Sequence, residues 1–279
     1  MKRIVLTCLL LAGLASLSTN AQSLGSFTAD ERELYAETKQ LNQFMRRFNA
    51  EEDVRGERLY SKDKDYRNRK LRKKYLPILF NLSDDILTED LKNKFIDQVM
   101  DKDHPIYLDF HGGEFFAELR TIFKYQGKEQ PVTMFLSLQE EKVGSKWVIK
   151  HIYFQPYKDV LKQADTNKFN DRKFIHPLSH ELGFMNLFRV FNNKDSLELY
   201  TERGFKPDYL SIFLYEVKQD RIKFKTVSAL KFHFFQVDGW YFELSYFNRE
   251  GYNTGWLISN LIEINEKDKQ ILMNYIYHD

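Results

Sequence analysis

Seven residues able to move protons lie in or beside strand-like segments: Tyr107, Asp109, His111 and Glu118 in the first half of the chain, His233, Tyr241 and Glu243 in the second. An isomerase or dehydratase needs such a set, with a carboxylate or imidazole base opposite a hydroxyl or acid donor in a dry cavity. Tyr107, Asp109 and His111 also alternate beside Gly112-Gly113, so an exposed strand end explains them as well. For a metal, His176 and His180 stand four apart with Glu181 next. On a helix they would share a face and could hold zinc with a third ligand. Pro177 interrupts the pair, the order is not His-Glu-x-x-His, and no third ligand is evident. Neither a catalytic nor a metal set is assigned, and no cofactor is implied. The sequence has no nucleophile elbow, P-loop, dinucleotide fingerprint or EF-hand loop. Gly112-Gly113 follows a strand-like run, but residues 114–125 read as another strand, which makes a hairpin and not a phosphate cradle.

Binding residues stand out more clearly. Phe135-Leu136-Ser137-Leu138 leads through a polar turn into a strand containing Trp147, Ile149 and His151. Glu243-Leu244-Ser245-Tyr246 leads likewise into Trp256, Ile258 and Asn260. Strand alternation puts each triplet on one face. If that face is concave, a polar group among apolar ones is how a small-ligand pocket is lined. A core histidine and asparagine satisfied by backbone or water account for the same residues. A second candidate is the basic run holding Arg67, Arg69, Arg72 and Lys73, which could meet phosphates, acidic glycans or lipid headgroups. Its alternative is a solvated helix that pairs with Glu51, Glu52, Asp53 and Glu57. Nucleic acid is not expected as a partner.

These residues must be held by a folded body, and composition allows one. In 279 residues, 43% are apolar and 29% charged, with 24 Phe and 16 Tyr suited to broad sheet surfaces. Lys2 and Arg3 precede an apolar run over 4–17 that is too short to span a bilayer comfortably, and Thr19 and Ala21 follow it. That pattern predicts a signal peptide over 1–21 cleaved after Ala21, with no transmembrane segment in the mature chain. Cys8, the only cysteine, leaves with it, so disulfides and thiol chemistry are excluded. Loss of Lys2 and Arg3 takes the formal charge from +2 to zero. A cysteine-free exported chain fits a periplasm or cell surface, and the Asn81-Leu82-Ser83 sequon carries little weight there.

Helical spacing is expected over 28–49, where Thr28 and Glu31 form a capping box, over 76–80 and over 90–100. After Pro105, residues 106–110, 115–125, 132–138 and 146–154 read as a four-strand meander. Residues 158–175 read as a linker. Helices then return at 182–191, 195–203 and 207–220, followed by strands over 222–237, 240–248 and 255–264 with Asp238-Gly239 as a hairpin turn. Residues 272–277 read as a short strand or docked tail. The chain thus divides into a first α+β domain, 22–157, with a charged insertion over 50–75, and a second, 176–279. Residues 91–110 lie over 209–227, and 41–49 over 185–192, in support of duplication.

Helices followed by a bent antiparallel meander, whose last hairpin ends in a Trp-x-Ile strand, resemble the nuclear transport factor 2-like, or cystatin-like, cone fold. The resemblance covers nearly all of the mature chain as two cone-like domains. It implies a pocket inside each cone. The family includes isomerases, dehydratases, ligand binders and protein binders, so it assigns no chemistry. The expected function is an exported non-enzymatic binding or scaffold protein, taking a small ligand in a cone or an envelope protein on a sheet face. An isomerase or hydro-lyase in one cone, and an interaction module using the basic insertion, are its rivals.

Overall fold

A computed structural model describes residues 40–83, 86–142, 144–161, 188–192, 194–202 and 205–278. The expected signal segment, the expected Thr28–Glu31 box, most of the expected linker and His176 and His180 lie outside the described residues.

Helix α1, Leu41–Asn49, ends where Ala50 turns left-handed at φ 56. Helix α2, Arg69–Ile78, starts at Asn68, whose side chain accepts from the N–H groups of Lys70 and Leu71. Helix α3, Glu89–Val99, is capped by Thr88. Strands β1 (Phe115–Tyr125), β2 (Lys128–Glu141) and β3 (Gly144–Tyr153) form a meander that runs into α4, Gln155–Val160. After α5 (Phe188–Phe191) and a 3-10 helix (Lys194–Tyr200) come α6 (Tyr209–Lys218) and strands β4 (Ile222–Phe234), β5 (Trp240–Phe247) and β6 (Gly255–Glu263). Helix α7, Glu266–Tyr277, closes the chain.

Three of the four strands expected in the first half and all three expected in the second are present, as halves of one antiparallel sheet of order β3-β2-β1-β4-β5-β6. Strands β1 and β4 join them along their whole length, from Phe115 opposite Phe234 to Tyr125 opposite Ile222. The fold is α+β as expected, but its strands belong to one sheet and not to two separate ones. Each strand of one half has its counterpart across this central pair, at the same distance from it.

Packing on the sheet runs crosswise. Helices α1–α3 precede β1–β3 in sequence, yet Phe48 and Phe95 lie against Phe242 and Trp240 of β5, within a core that includes Trp256, Leu257 and Ile258 of β6. Helix α6 precedes β4–β6, yet Phe213 meets Phe123 of β1 in a cluster with Val132, Met134 and Ile152. Phe95 and Phe213 occupy matching places in the proposed alignment of 91–110 with 209–227, and each is sealed over the other half's strands. The opposite face carries α7, with Ile276 and Tyr277 packed on Phe116, Phe135, Phe235 and Tyr241.

Two segments differ from expectation. Residues 106–110 form no strand, because Asn49 occupies their backbone: its side chain accepts from the Leu108 N–H and donates to the Leu108 carbonyl, both at 2.8 Å. Residues 272–277 are helical, since Asn265 caps a helix that starts earlier, accepting from Asp268 N–H at 3.0 Å. The charged stretch 50–75 holds a small Glu52–Arg58 bridge and then the first turns of α2.

Candidate functional site

The two hairpins share one irregularity. In β2–β3 the register slips between Phe135, which faces His151, and Leu136, which faces Ile149, so Lys150 is an extra residue. In β5–β6 it slips between Glu243, facing Asn260, and Leu244, facing Ile258, so Ser259 is extra. A one-residue bulge moves the side chains beyond it to the other face of the sheet. The expectation that each triplet shares one face is therefore corrected for its third member. Trp147 and Ile149 point to the face of α1–α3, where the indole sits edge-on to Phe115. His151 points to the α7 face, beside Phe135, and its Nε2 lies 3.1 Å from the Tyr277 carbonyl. Trp256 and Ile258 face α1–α3, and Asn260 turns with Glu243 to the α7 face.

Burial separates the two hairpins. Trp256 and Ile258 are 7% and 0% exposed, whereas Trp147 and Ile149 are 38% and 37% exposed. The difference comes from what covers the outer strand. Residues 79–81 lie along β6: the Ile258 N–H donates to the Leu79 carbonyl at 2.8 Å, and the Asn81 N–H to the Ile258 carbonyl at 2.9 Å. Arg249 and Asn253 clip this segment down through Asn81, Ser83 and the carbonyls of Ile78 and Phe80. Among the described residues, nothing pairs with the outer edge of β3.

On the α7 face three of the proton-moving residues meet. His233 places Nε2 3.0 Å from Glu118 and Nδ1 2.8 Å from the Tyr241 hydroxyl, and its ring stacks on Phe116 at 4.8 Å. An ionised carboxylate only accepts, so Nε2 carries a proton in either charge state of the ring, and in the neutral ring Tyr241 donates to Nδ1. Burial pushes the Glu118 carboxyl up, but the hydrogen bonds and charges of His233 and Arg120 outweigh it and hold the pKa at about 2. Burial, then the charges of Glu243 and Glu118, raise the Tyr241 phenol well above its ordinary value. The phenol is 3% exposed, covered by Phe235 and Ile276 and already bonded to His233, so it presents no open side to a substrate.

Glu118 makes the α7 face sensitive to acid. Its folded pKa lies below its unfolded one, so its contribution is complete above about pH 4.5 and lost as pH falls toward 2. Glu118→Gln is expected to lower stability at pH 7 by roughly 2–3 kcal/mol, with the gap closing between pH 4.5 and 2. Urea unfolding across that range checks it. A gap that does not change with pH would deny the carboxylate its role.

Beside the triad lies a half-buried cluster that alternation along β5 could have revealed. Glu243 lies 2.9 Å from Lys231, 3.2 Å from Ser245 and 3.1 Å from Ser259. Its polar atoms satisfy one another. Asp109 and His111 belong to an exposed turn, tied by the His111 N–H to Asp109 at 2.9 Å and by Gln236 to the Asp109 backbone.

The basic run divides. Arg67 pairs with Glu51 at 2.7 Å and lies over the Tyr107 ring. Arg69 and Lys73 are exposed on α2. Arg72 is a correction to the expected partner surface: it is 2% exposed and donates to the carbonyls of Phe48 and Val99 at 2.8 Å, and to that of Ile106. Among the described residues, no helix is long and apolar enough to cross a membrane, and no His, Cys, Asp and Glu cluster could hold a metal ion.

Compared with known proteins, the chain matches no family model, no curated protein and no solved structure.

Proposed function

We propose that this chain is an exported, non-enzymatic binding or scaffold protein of the periplasm or cell surface, built from two related cone-like halves that share one sheet. Its partner, an envelope protein, meets the outside of that sheet. The contrast between the sealed Trp256 and the half-exposed Trp147 carries the reading. A ligand inside the second half would have to displace the aromatic packing of α1–α3, whereas the matching surface of the first half is open at β3. The closed surroundings of Tyr241, with its hydroxyl held by His233, favour binding over proton-transfer chemistry. The matching bulges at Lys150 and Ser259 support the relation between the halves. The basic head and apolar run before Ala21 support export.

The test places a photo-crosslinking residue at position 149 and, separately, at position 69, in intact protein inside the exporting cell. A protein adduct from position 149 is the expected result. An adduct from 69 alone would shift the partner to the basic helix. A small metabolite that raises Tm, with no adduct from either position, would replace this reading by a ligand in a cone.

A further inference from the structure

The halves differ at one place that matters for recognition, and the partner surface proposed above gains its chemistry from it. We infer that the outer edge of β3 binds an extended acidic peptide segment, parallel to the strand, in the way residues 79–81 bind along β6. The inference rests on the reading that the partner meets the sheet at β3.

The template is internal to the molecule. Ile258 uses its outward N–H and carbonyl to hold the backbone on either side of Phe80 in a parallel bridge. Phe80 is fully buried, edge-on to Phe95. Ile149 stands at the same place in β3: each isoleucine faces the leucine before the slip, Leu136 or Leu244, and each is followed by the bulge residue. Its neighbour Trp147 offers an indole 38% exposed, packed edge-on to Phe115 on one side. An added segment would find two backbone partners and an aromatic surface there, the elements of strand addition.

Charge selects the occupant. Residues 144–158 contain Lys146, Lys150 and Lys158 and no acidic residue. Lys146 is engaged with Glu141 at 2.7 Å, and Lys158 lies over the Tyr153 ring, while Lys150 is exposed on the bulge. Two copies of this edge paired together would bring lysines against lysines, which disfavours self-association. An acidic segment with one large apolar residue at its centre meets both the charge and the indole.

The probe is a synthetic peptide with the sequence of residues 77–82 and two acidic residues added at each end. It is titrated into the intact mature chain and followed by backbone amide shifts. Binding is expected, with the largest shifts at residues 147–151, and Lys150→Glu should weaken it by roughly tenfold at low salt. The same peptide with an N-methyl group on the amide equivalent to that of Asn81, which donates to the Ile258 carbonyl in the template, leaves the protein untouched and should also bind at least ~10-fold more weakly. No binding at millimolar peptide, shifts confined to another surface, or equal binding of the methylated peptide would each overturn strand addition. If the position-149 crosslink still captures a partner after such a failure, the broader reading stands and only the peptide mode is lost.

Discussion

Residues 22–157 expressed without the rest of the chain are expected to remain unfolded or molten, and residues 176–279 likewise. The reason is the crosswise packing. Alone, α1–α3 keep β1–β3 but lose the strands they cover. Phe234, Trp240, Phe242, Leu257 and Ile258 are all 0–1% exposed in the intact chain and all belong to β4–β6. At about 1.5–3 kcal/mol for each sealed side chain, these five contribute on the order of 8–15 kcal/mol. That equals the whole net stability of an ordinary domain, about 5–15 kcal/mol. The second piece loses the reverse contacts, of Phe213 and Ile222 with Phe123, Val132 and Ile152. Near-UV circular dichroism and amide-shift dispersion of each piece, then of their equimolar mixture, decide the matter. Folded spectra appearing only in the mixture are the expected outcome. Two independently folded pieces would mean that each helix set can turn back onto its own strands, as the cone-like domains read from the sequence require.

That expectation marks where the sequence stops being informative. The strands were legible because aromatic and β-branched runs bounded by Gly127, Gly144 and Asp238-Gly239 leave few other options; the predicted spans 115–125 and 240–248 agree with the observed strands within one residue. Helices α3 and α6 were legible from their spacing for the same reason. An amphipathic stripe shows that a helix has a partner, but not which strands provide it, so the exchange of helices between halves could not be read. Nor could the faces of His151 and Asn260. Alternation assumes constant register, and the single extra residues, Lys150 and Ser259, have side chains that any exposed strand position accepts. Helix α7 was legible but misread: Leu272, Met273, Ile276 and Tyr277 repeat at helical and not strand spacing. The Glu118–His233–Tyr241 chain was named residue by residue, yet its assembly needed the β1–β4 pairing, which joins positions 115 residues apart.

Arg72→Met is expected to destabilise the protein by about 3–5 kcal/mol, while Arg69→Ser and Lys73→Ser stay within roughly 0.5 kcal/mol. All three lie in one run of cations, but Arg72 falls on the face of α2 that carries Tyr75, Leu76 and Leu79, and its guanidinium ends among backbone carbonyls. Burial lowers its pKa to about 10, with Tyr107 opposing, so it is still a cation at neutral pH. Its donors serve Phe48 at the end of α1, Val99 at the end of α3, and Ile106 beyond it. Val99 keeps the Ile106 N–H at 3.1 Å, so the loss falls mainly on the other two carbonyls and on the contacts with Phe48 and Tyr107. Arg72→Lys should recover little, because an ammonium cannot reproduce the planar fork that reaches three acceptors at once. Urea midpoints at unchanged slope measure each variant. A loss below about 1 kcal/mol for Arg72→Met would mean that water takes over these carbonyls. A loss of the expected size has a consequence for function: Arg72 joins the ends of α1 and α3, so reduced partner recovery after its removal would report a damaged scaffold. Arg69 and Lys73, exposed and expected to be stability-neutral, can instead show whether the basic helix itself makes a contact.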